Sequence, residues 1–451
     1  MFNKILIANR GEIAARVIRT CKRMNIHTVA VYSEADQNAP FVEQADESYL
    51  IGKPRVNESY LNIEKIISVA KECGADAIHP GYGLLSENAS FARAVREAGI
   101  TFIGPDAEVM AKMGDKVEAR NEMKAAGVPI VPGTDGALAD VAEAKEVAKD
   151  FGYPVMLKAS AGGGGIGMQV CNNEAELEKA YEGSSKRAQA FFGDGTMFLE
   201  KRIIKPRHVE IQVLADSHGN AVHLFERECS IQRRHQKVVE EAPSPFISEE
   251  TREKMGETAL KAVRALGYVN AGTIEFLVDE NQDFYFLEMN TRLQVEHPVT
   301  EEITGLDLVE QQIRVADGEA LTFSQKDLTI NGHAIEVRIY AEDPNTFYPS
   351  PGQLKKMELP EGERIRHELA VKGDSMVSPF YDPMIAKLIV SGDSRDHAIE
   401  LMTKALHQYE IEGIKSNLTM LKRVITHEKF KAGETQTDFV EEYYLPTLTN
   451  H

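Results

Sequence analysis

Cysteine is scarce in this chain, with four residues in 451, Cys21, Cys73, Cys171 and Cys229, and no C-x-x-C pair among them. That spacing argues against both a zinc site and a disulfide framework and fits a reducing, cytoplasmic compartment. Positive charge is also in deficit, 51 Lys and Arg against 70 Asp and Glu for a net charge of −19. Such a balance disfavours nucleic acid or an anionic membrane as the main partner, so anionic ligands need a local basic patch. No apolar run reaches the ~18 residues that a membrane span needs. The opening MFNKILIANR breaks its apolar run too early for a signal peptide. Repeats and low-complexity tracts are missing as well. The first strand-to-helix turn reads ANRGEI where a dinucleotide site would carry G-x-G-x-x-G, and no G-x-x-x-x-G-K-[ST] P-loop occurs.

What remains is a globular chain, 43% hydrophobic, long enough for two or three domains. Residues 5–8 read as a buried strand, 12–24 as a helix with Ile13, Val17 and Cys21 on one face, and 28–32 as a second strand. The pattern recurs through AIHPGYG at 77–83 and TFIGP at 101–105, predicting a parallel sheet with ligands near its carboxyl edge. PIVPG at 129–133 marks a boundary, followed by a helix over 137–150 and a strand over 154–158. The loop AGGGGIGM at 161–168 then offers successive backbone N–H groups to phosphates, with Lys158 adding a point charge. Taken alone, a glycine run is more often a turn.

Chemistry concentrates in a hairpin. Residues 271–278 (AGTIEFLV) and 284–298 (FYFLEMNTRLQVEHP) flank a polar turn at 279–283, so antiparallel pairing brings Glu288 beside Glu275. An extended chain onward from Leu287 would put Glu288, Asn290, Arg292, Gln294 and Glu296 on one face. Two acids, two amides and an arginine make an unusual solvated face. Paired carboxylates suit Mg²⁺ together with substrate phosphate oxygens, which predicts a nucleotide-phosphate site.

The basic patch is also present. Between Lys201 and Lys237 eight Lys or Arg stand against four acidic residues. His208, Glu210 and Gln212 alternate with apolar neighbours on one strand face, and SIQRRHQKVVEEAP at 230–243 clusters cationic side chains fit to bind anions. A last alternating strand at 332–341 carries Glu336, Arg338 and Tyr340 on one face, a further strand follows at 385–390, and 395–409 and 417–426 read as helices of an α+β region.

Together IANRGEI (7–13), HPGYG (79–83), MGDK (113–116), the glycine loop, QRRHQKVVEEAP (232–243) and EMNTRLQVEHP (288–298) resemble biotin carboxylase, the ATP-grasp subunit of acyl-CoA carboxylases. The resemblance covers nearly the whole chain. It implies an N-terminal parallel α/β domain at 1–113, an ATP-grasp domain at 114–330 with a mobile glycine-loop lid at about 131–203, and a C-terminal α+β domain at 331–446.

The activity so implied is ATP-dependent carboxylation of carrier-bound biotin by bicarbonate through carboxyphosphate, as the first half-reaction of acetyl-CoA carboxylase feeding malonyl-CoA and fatty acid synthesis. Alternatives are a component of a propionyl-CoA or other acyl-CoA carboxylase, a different ATP-grasp ligase, or a silent nucleotide-binding regulator. By resemblance Lys116, Lys158 and His208 contact ATP phosphate and ribose, Gly164 and Gly165 cover the phosphates, and Glu200, Lys201, Arg202, Ile203 and His235 hold adenine. Glu275, Glu288 and Asn290 would bind Mg²⁺ or Mn²⁺. Lys237, Arg292, Gln294 and Val295 would hold bicarbonate, with Glu296 as base, Arg338 stabilising biotin's enolate-like oxygen and Tyr82 in the substrate site. Ile166 departs from the Arg or Lys that the family usually carries. The single Met-Lys pair, Met123-Lys124, falls in a helix-like stretch, so biotin carboxyl carrier protein and carboxyltransferase would be separate polypeptides, and the resemblance further implies a homodimer.

Overall fold

The computed structural model describes residues 1–160 and 167–448. Five parallel strands open the chain, β1 (Lys4–Ile7), β2 (His27–Ser33), β3 (Glu47–Gly52), β4 (Ala77–His79) and β5 (Thr101–Phe102), in the order β3-β2-β1-β4-β5. The helix Gly11–Arg23 follows β1 and buries Ile13, Val17 and Cys21 at no more than 1% exposure, as the 3.6-residue spacing requires. Both faces of the sheet are packed against apolar clusters, the usual condition of a parallel sheet.

Residues 129–206 form a separate compact unit. Its strands β6 (Val155–Ala159), β7 (Met168–Cys171) and β8 (Met197–Lys201) make an antiparallel sheet in the order β7-β6-β8. The expected helix over 137–150 is observed as Val141–Phe151, because the Asp140 side chain accepts from the Glu143 N–H and caps it there. A small core of Leu138, Val155, Leu157, Leu177 and Leu199 closes the unit.

The rest of the larger unit is built on an antiparallel sheet of eight strands. These are β9 (Arg207–Ala215), β10 (Ala221–Arg233), β11 (Gln236–Ala242), β12 (Asn270–Val278), β13 (Phe284–Asn290), β14 (His333–Tyr340) and, beyond the short pair members β15 (Gly352–Gln353) and β16 (Lys356–Glu358), β17 (Ile365–Leu369) and β19 (Met384–Gly392). The two-residue β18 (Met376–Val377) pairs with β15, and β20 (Glu410–Glu412) with β16. The order β13-β12-β9-β10-β11-β14-β19-β17 carries one ladder from the hairpin through the strand with Arg338. Helices Arg395–Gln408 and Leu418–Thr426 pack on a core that includes Val337, Leu388, Leu406 and Leu421. Met123 and Lys124 lie inside the helix Lys116–Ala125.

Candidate active site

The hairpin forms in the expected register. Glu275 and Glu288 are direct partners across β12 and β13, and the turn is fixed by the Asp279 carboxylate accepting the N–H groups of Asn281 (2.9 Å) and Asp283 (3.0 Å). The expected extended face does not continue to Glu296. β13 stops at Asn290, because the next N–H, of Thr291, donates to the Glu87 carboxylate at 3.0 Å instead of to a strand. Residues 291–296 turn, and Glu296 becomes the residue before the helix His297–Thr304, whose Pro298 fits the first helical turn. The turn still gathers the side chains: Arg292 donates to Asn290 Oδ1 (3.0 Å), Gln294 Oε1 (2.9 Å) and Glu87 (3.1 Å).

The strands at the middle of the sheet supply the charges. Lys237 Nζ on β11 reaches three carboxylates, Glu275 at 2.6 Å and Glu210 and Glu296 at 2.8 Å each. Arg338 on β14 donates from Nε to Glu240 at 2.5 Å and from its terminal nitrogen to the other oxygen of Glu296 at 3.0 Å. Beneath them Arg227, wholly buried, donates to Glu210 (2.6 Å), Gln212 (2.7 Å), Thr300 (2.9 Å) and Thr273 (3.0 Å). The strand carrying His208, Glu210 and Gln212 is buried on both faces, with no solvated side. His208 Nε2 lies 3.3 Å from Glu275, and its Nδ1 meets Gln232 at 3.0 Å.

Electrostatics divides the carboxylates by neighbour. Burial would push Glu296 up, but Lys237 and Arg338 hold it well below the ordinary carboxylate range. Glu275 is likewise held down against burial by Lys237 and the His208 hydrogen bond. Glu288 is pushed up to about 7, first by burial and then by its hydrogen bond to Glu275. Glu210 also rises to about 7 through burial and the nearby Glu296 charge. Lys237 rises well above its ordinary value, because its three carboxylates outweigh desolvation. Glu296 is therefore an ionised carboxylate between two cations, whereas the Glu275 and Glu288 pair shares charge that a divalent cation would relieve. His208, Glu210 and Glu275 also bring one ligand atom each within 4.8 Å of one another.

A cavity of about 420 Å³ adjoins this centre, lined by residues including Tyr82, Arg292, Val295 and Arg338. Tyr82 O–H donates to Glu12 there. Lys116 is exposed at the start of its helix, and His235 is exposed in the β10–β11 turn, where Arg234 and His235 both have positive φ. In the smaller unit Lys158 pairs with Glu200, while Lys201, Arg202 and Ile203 follow at the end of β8 and beyond it. Gly164, Gly165 and Ile166 lie outside the described residues. Sequence reasoning did not single out Glu87, Arg227 or Glu240 for the site. Glu240 stands inside the cationic motif at 232–243, whereas the partners of Glu87 and Arg227 depend on contacts between distant segments. The four cysteines are free, and no helix among the described residues is long and apolar enough to cross a membrane.

Family models match in three consecutive blocks. These are the biotin carboxylase N-terminal domain over residues 1–110, the ATP-binding domain of the carbamoyl-phosphate synthase L chain over 115–324, and the biotin carboxylase C-terminal domain over 336–442. The chain is 64% identical over 440 residues to a biotin carboxylase of Halalkalibacterium halodurans, covering 98% of this chain and 97% of that protein. It is also 64% identical over 443 residues to biotin carboxylase 2 of Bacillus subtilis, covering 98% of this chain and 100% of that protein. A solved dimer of the biotin carboxylase domain of 2-oxoglutarate carboxylase from Hydrogenobacter thermophilus, in complex with MgADP, ADP and bicarbonate, superimposes with a TM-score of 0.88 at 51% identity, covering 100% of this chain and 99% of that one.

Proposed function

We propose, for a chain that belongs to the biotin carboxylase family, a reaction in which bicarbonate is phosphorylated by ATP and the resulting carboxyphosphate delivers CO₂ to the ureido nitrogen of biotin on a separate carrier protein. The observation that carries this reading is Glu296, bound by Lys237 on one oxygen and Arg338 on the other. A base so placed takes the bicarbonate proton beside the cation that holds the anion. Its second cation faces the cavity with Tyr82 that would receive biotin.

Lys237, Arg292, Gln294 and Val295 hold bicarbonate in this scheme, and Arg338 stabilises the enolate-like oxygen when the ureido nitrogen loses its proton to phosphate. Glu275, Glu288 and Asn290 fit Mg²⁺ or Mn²⁺, since the two acids are in contact and one is forced toward neutrality without a cation. When bound, that metal neutralises charge on the transferring phosphoryl group. His208 and Lys116 serve nucleotide phosphate and ribose, and His235 serves adenine. For the smaller unit taken by itself, we assign Lys158 to phosphate, Glu200 to Ile203 to adenine, and Gly164 and Gly165 to backbone contacts with phosphate. We assign acetyl-CoA as the acyl acceptor, handled by separate carboxyltransferase subunits in the cytoplasm, with the chain as a homodimer.

The test is bicarbonate-dependent ATP hydrolysis stimulated by free biotin, with carboxybiotin trapped directly. Hydrolysis that needs bicarbonate yet gives no carboxybiotin would favour another ATP-grasp ligase. ATP binding without turnover would favour a regulator.

A further inference from the structure

Lys387 sits in the middle of β19, directly opposite Arg338 of β14. Paired residues of an antiparallel ladder share a face, so the two cations point to the same side of the sheet. Yet they do different things. Arg338 engages Glu240 and Glu296, whereas Lys387, with 0% of its side chain exposed, donates to the backbone carbonyl of Val295 at 2.6 Å. Its carboxylate partners are Glu12 at 3.1 Å and, farther off, Glu336 at 3.9 Å. Glu12 in turn accepts from Tyr82 O–H at the wall of the 420 Å³ cavity, and Lys387 Nζ lies 6.0 Å from the Tyr82 ring centroid.

A buried ammonium requires acceptors, and one of those used here is a carbonyl in the turn that carries Arg292, Gln294 and Glu296. That turn has left the β-ladder, so strand pairing no longer fixes its peptide planes. A charge-assisted hydrogen bond to the Val295 carbonyl fixes one of them. We infer that Lys387 is a positioning residue for bicarbonate. It holds the 291–296 turn in the form that presents its anion-binding groups, and through Glu12 and Tyr82 it ties that turn to the wall of the biotin cavity. Lys387 touches no reacting atom in this scheme, and the inference rests on the function proposed above.

The test compares wild type with Lys387→Met and with the charge-balanced double variant Lys387→Met/Glu12→Gln, under saturating ATP and Mg²⁺. The expected result is a bicarbonate KM raised about tenfold or more, with the ATP KM within about twofold of wild type, because only one substrate's contacts are disturbed. A folded variant with unchanged bicarbonate KM, or one whose ATP and bicarbonate KM values rise together, would overturn the inference. Failure of both variants to fold would assign Lys387 to the fold and overturn it too. Wild type lacking bicarbonate-dependent hydrolysis would instead overturn the proposed function.

Discussion

The charged centre of the eight-stranded sheet and the three-stranded unit at 129–206 use the same kinds of residue under opposite conditions. In the first, Glu210, Glu275, Glu296 and Arg338 are buried, Lys237 leaves only 13% of its side chain exposed, and the five are joined by contacts of 2.6 to 3.0 Å. In the second, Lys158 leaves 39% of its side chain to solvent and Glu200 leaves 24%. Removing one member of the buried set strands the others without water, which costs several kcal/mol and shifts their protonation. Removing or adding a charge in the small unit is buffered by solvent and salt. The side chains of the centre should therefore tolerate almost no change.

The sharpest break of this contrast is Glu288→Gln. The amide cannot supply the second carboxylate of the proposed metal pair, and turnover should fall about a thousandfold or more. ATP hydrolysis at saturating Mg²⁺ checks it, and a wild-type-like rate would withdraw the metal assignment.

Within the centre, Glu296 and its partner Arg338 should separate the half-reactions. Arg338→Ala should lose carboxybiotin formation by about a hundredfold while keeping some bicarbonate-dependent ATP hydrolysis, whereas Glu296→Ala should lose both. Parallel assays of ADP release and carboxybiotin decide. Equal losses in Arg338→Ala would leave no ground for assigning that arginine to biotin alone.

A third effect concerns stability. Glu228 is buried, accepts from the Ser230 and Ser244 hydroxyls, and is pushed up to about 7 from 4.5, chiefly by burial. The folded chain therefore keeps a proton that the unfolded chain releases between those values. This contribution is complete below pH 4.5 and is lost as pH rises through about 7. Glu228→Gln removes it, so the wild-type minus variant unfolding free energy should fall by about 3 kcal/mol between pH 4 and 8. Denaturant titrations across that range would show it, and parallel curves would mean that Glu228 titrates alike in the folded and unfolded chains.

Much of the centre was legible because its geometry is local. The Glu275 and Glu288 pairing follows from one hairpin, and the period of two put His208, Glu210 and Gln212 on one face. Other parts depend on partners far away in sequence. Glu87 draws the chain off the ladder at Thr291, a contact across 204 residues that no spacing rule contains. Alternation placed the polar residues of β9 on one face but could not show that both faces of this strand are buried, which depends on what packs above and below the sheet. The lysine that meets the 291–296 turn was equally hidden, since Lys387 reads as one polar residue in an apolar strand.

The smallest effect should come from the other region. Ile166 stands where the resemblance leads us to expect Arg or Lys, and its side chain offers no donor to phosphate. Two outcomes are open to such a chain: backbone N–H groups of the glycine run together with Lys158 suffice for ATP, or binding is weak and turnover suffers. The first is expected, because successive backbone donors need no side chain to hold a phosphate. A new arginine would then add one partly solvated ionic contact, and Ile166→Arg should tighten ATP binding by about 1 kcal/mol or less with little change in kcat. Steady-state kinetics over an ATP series measures both quantities. A hundredfold rise in kcat would instead mark the natural chain as a disabled carboxylase, and would erase the contrast between a demanding centre and a tolerant smaller unit by making the side chain at 166 the limiting catalytic part.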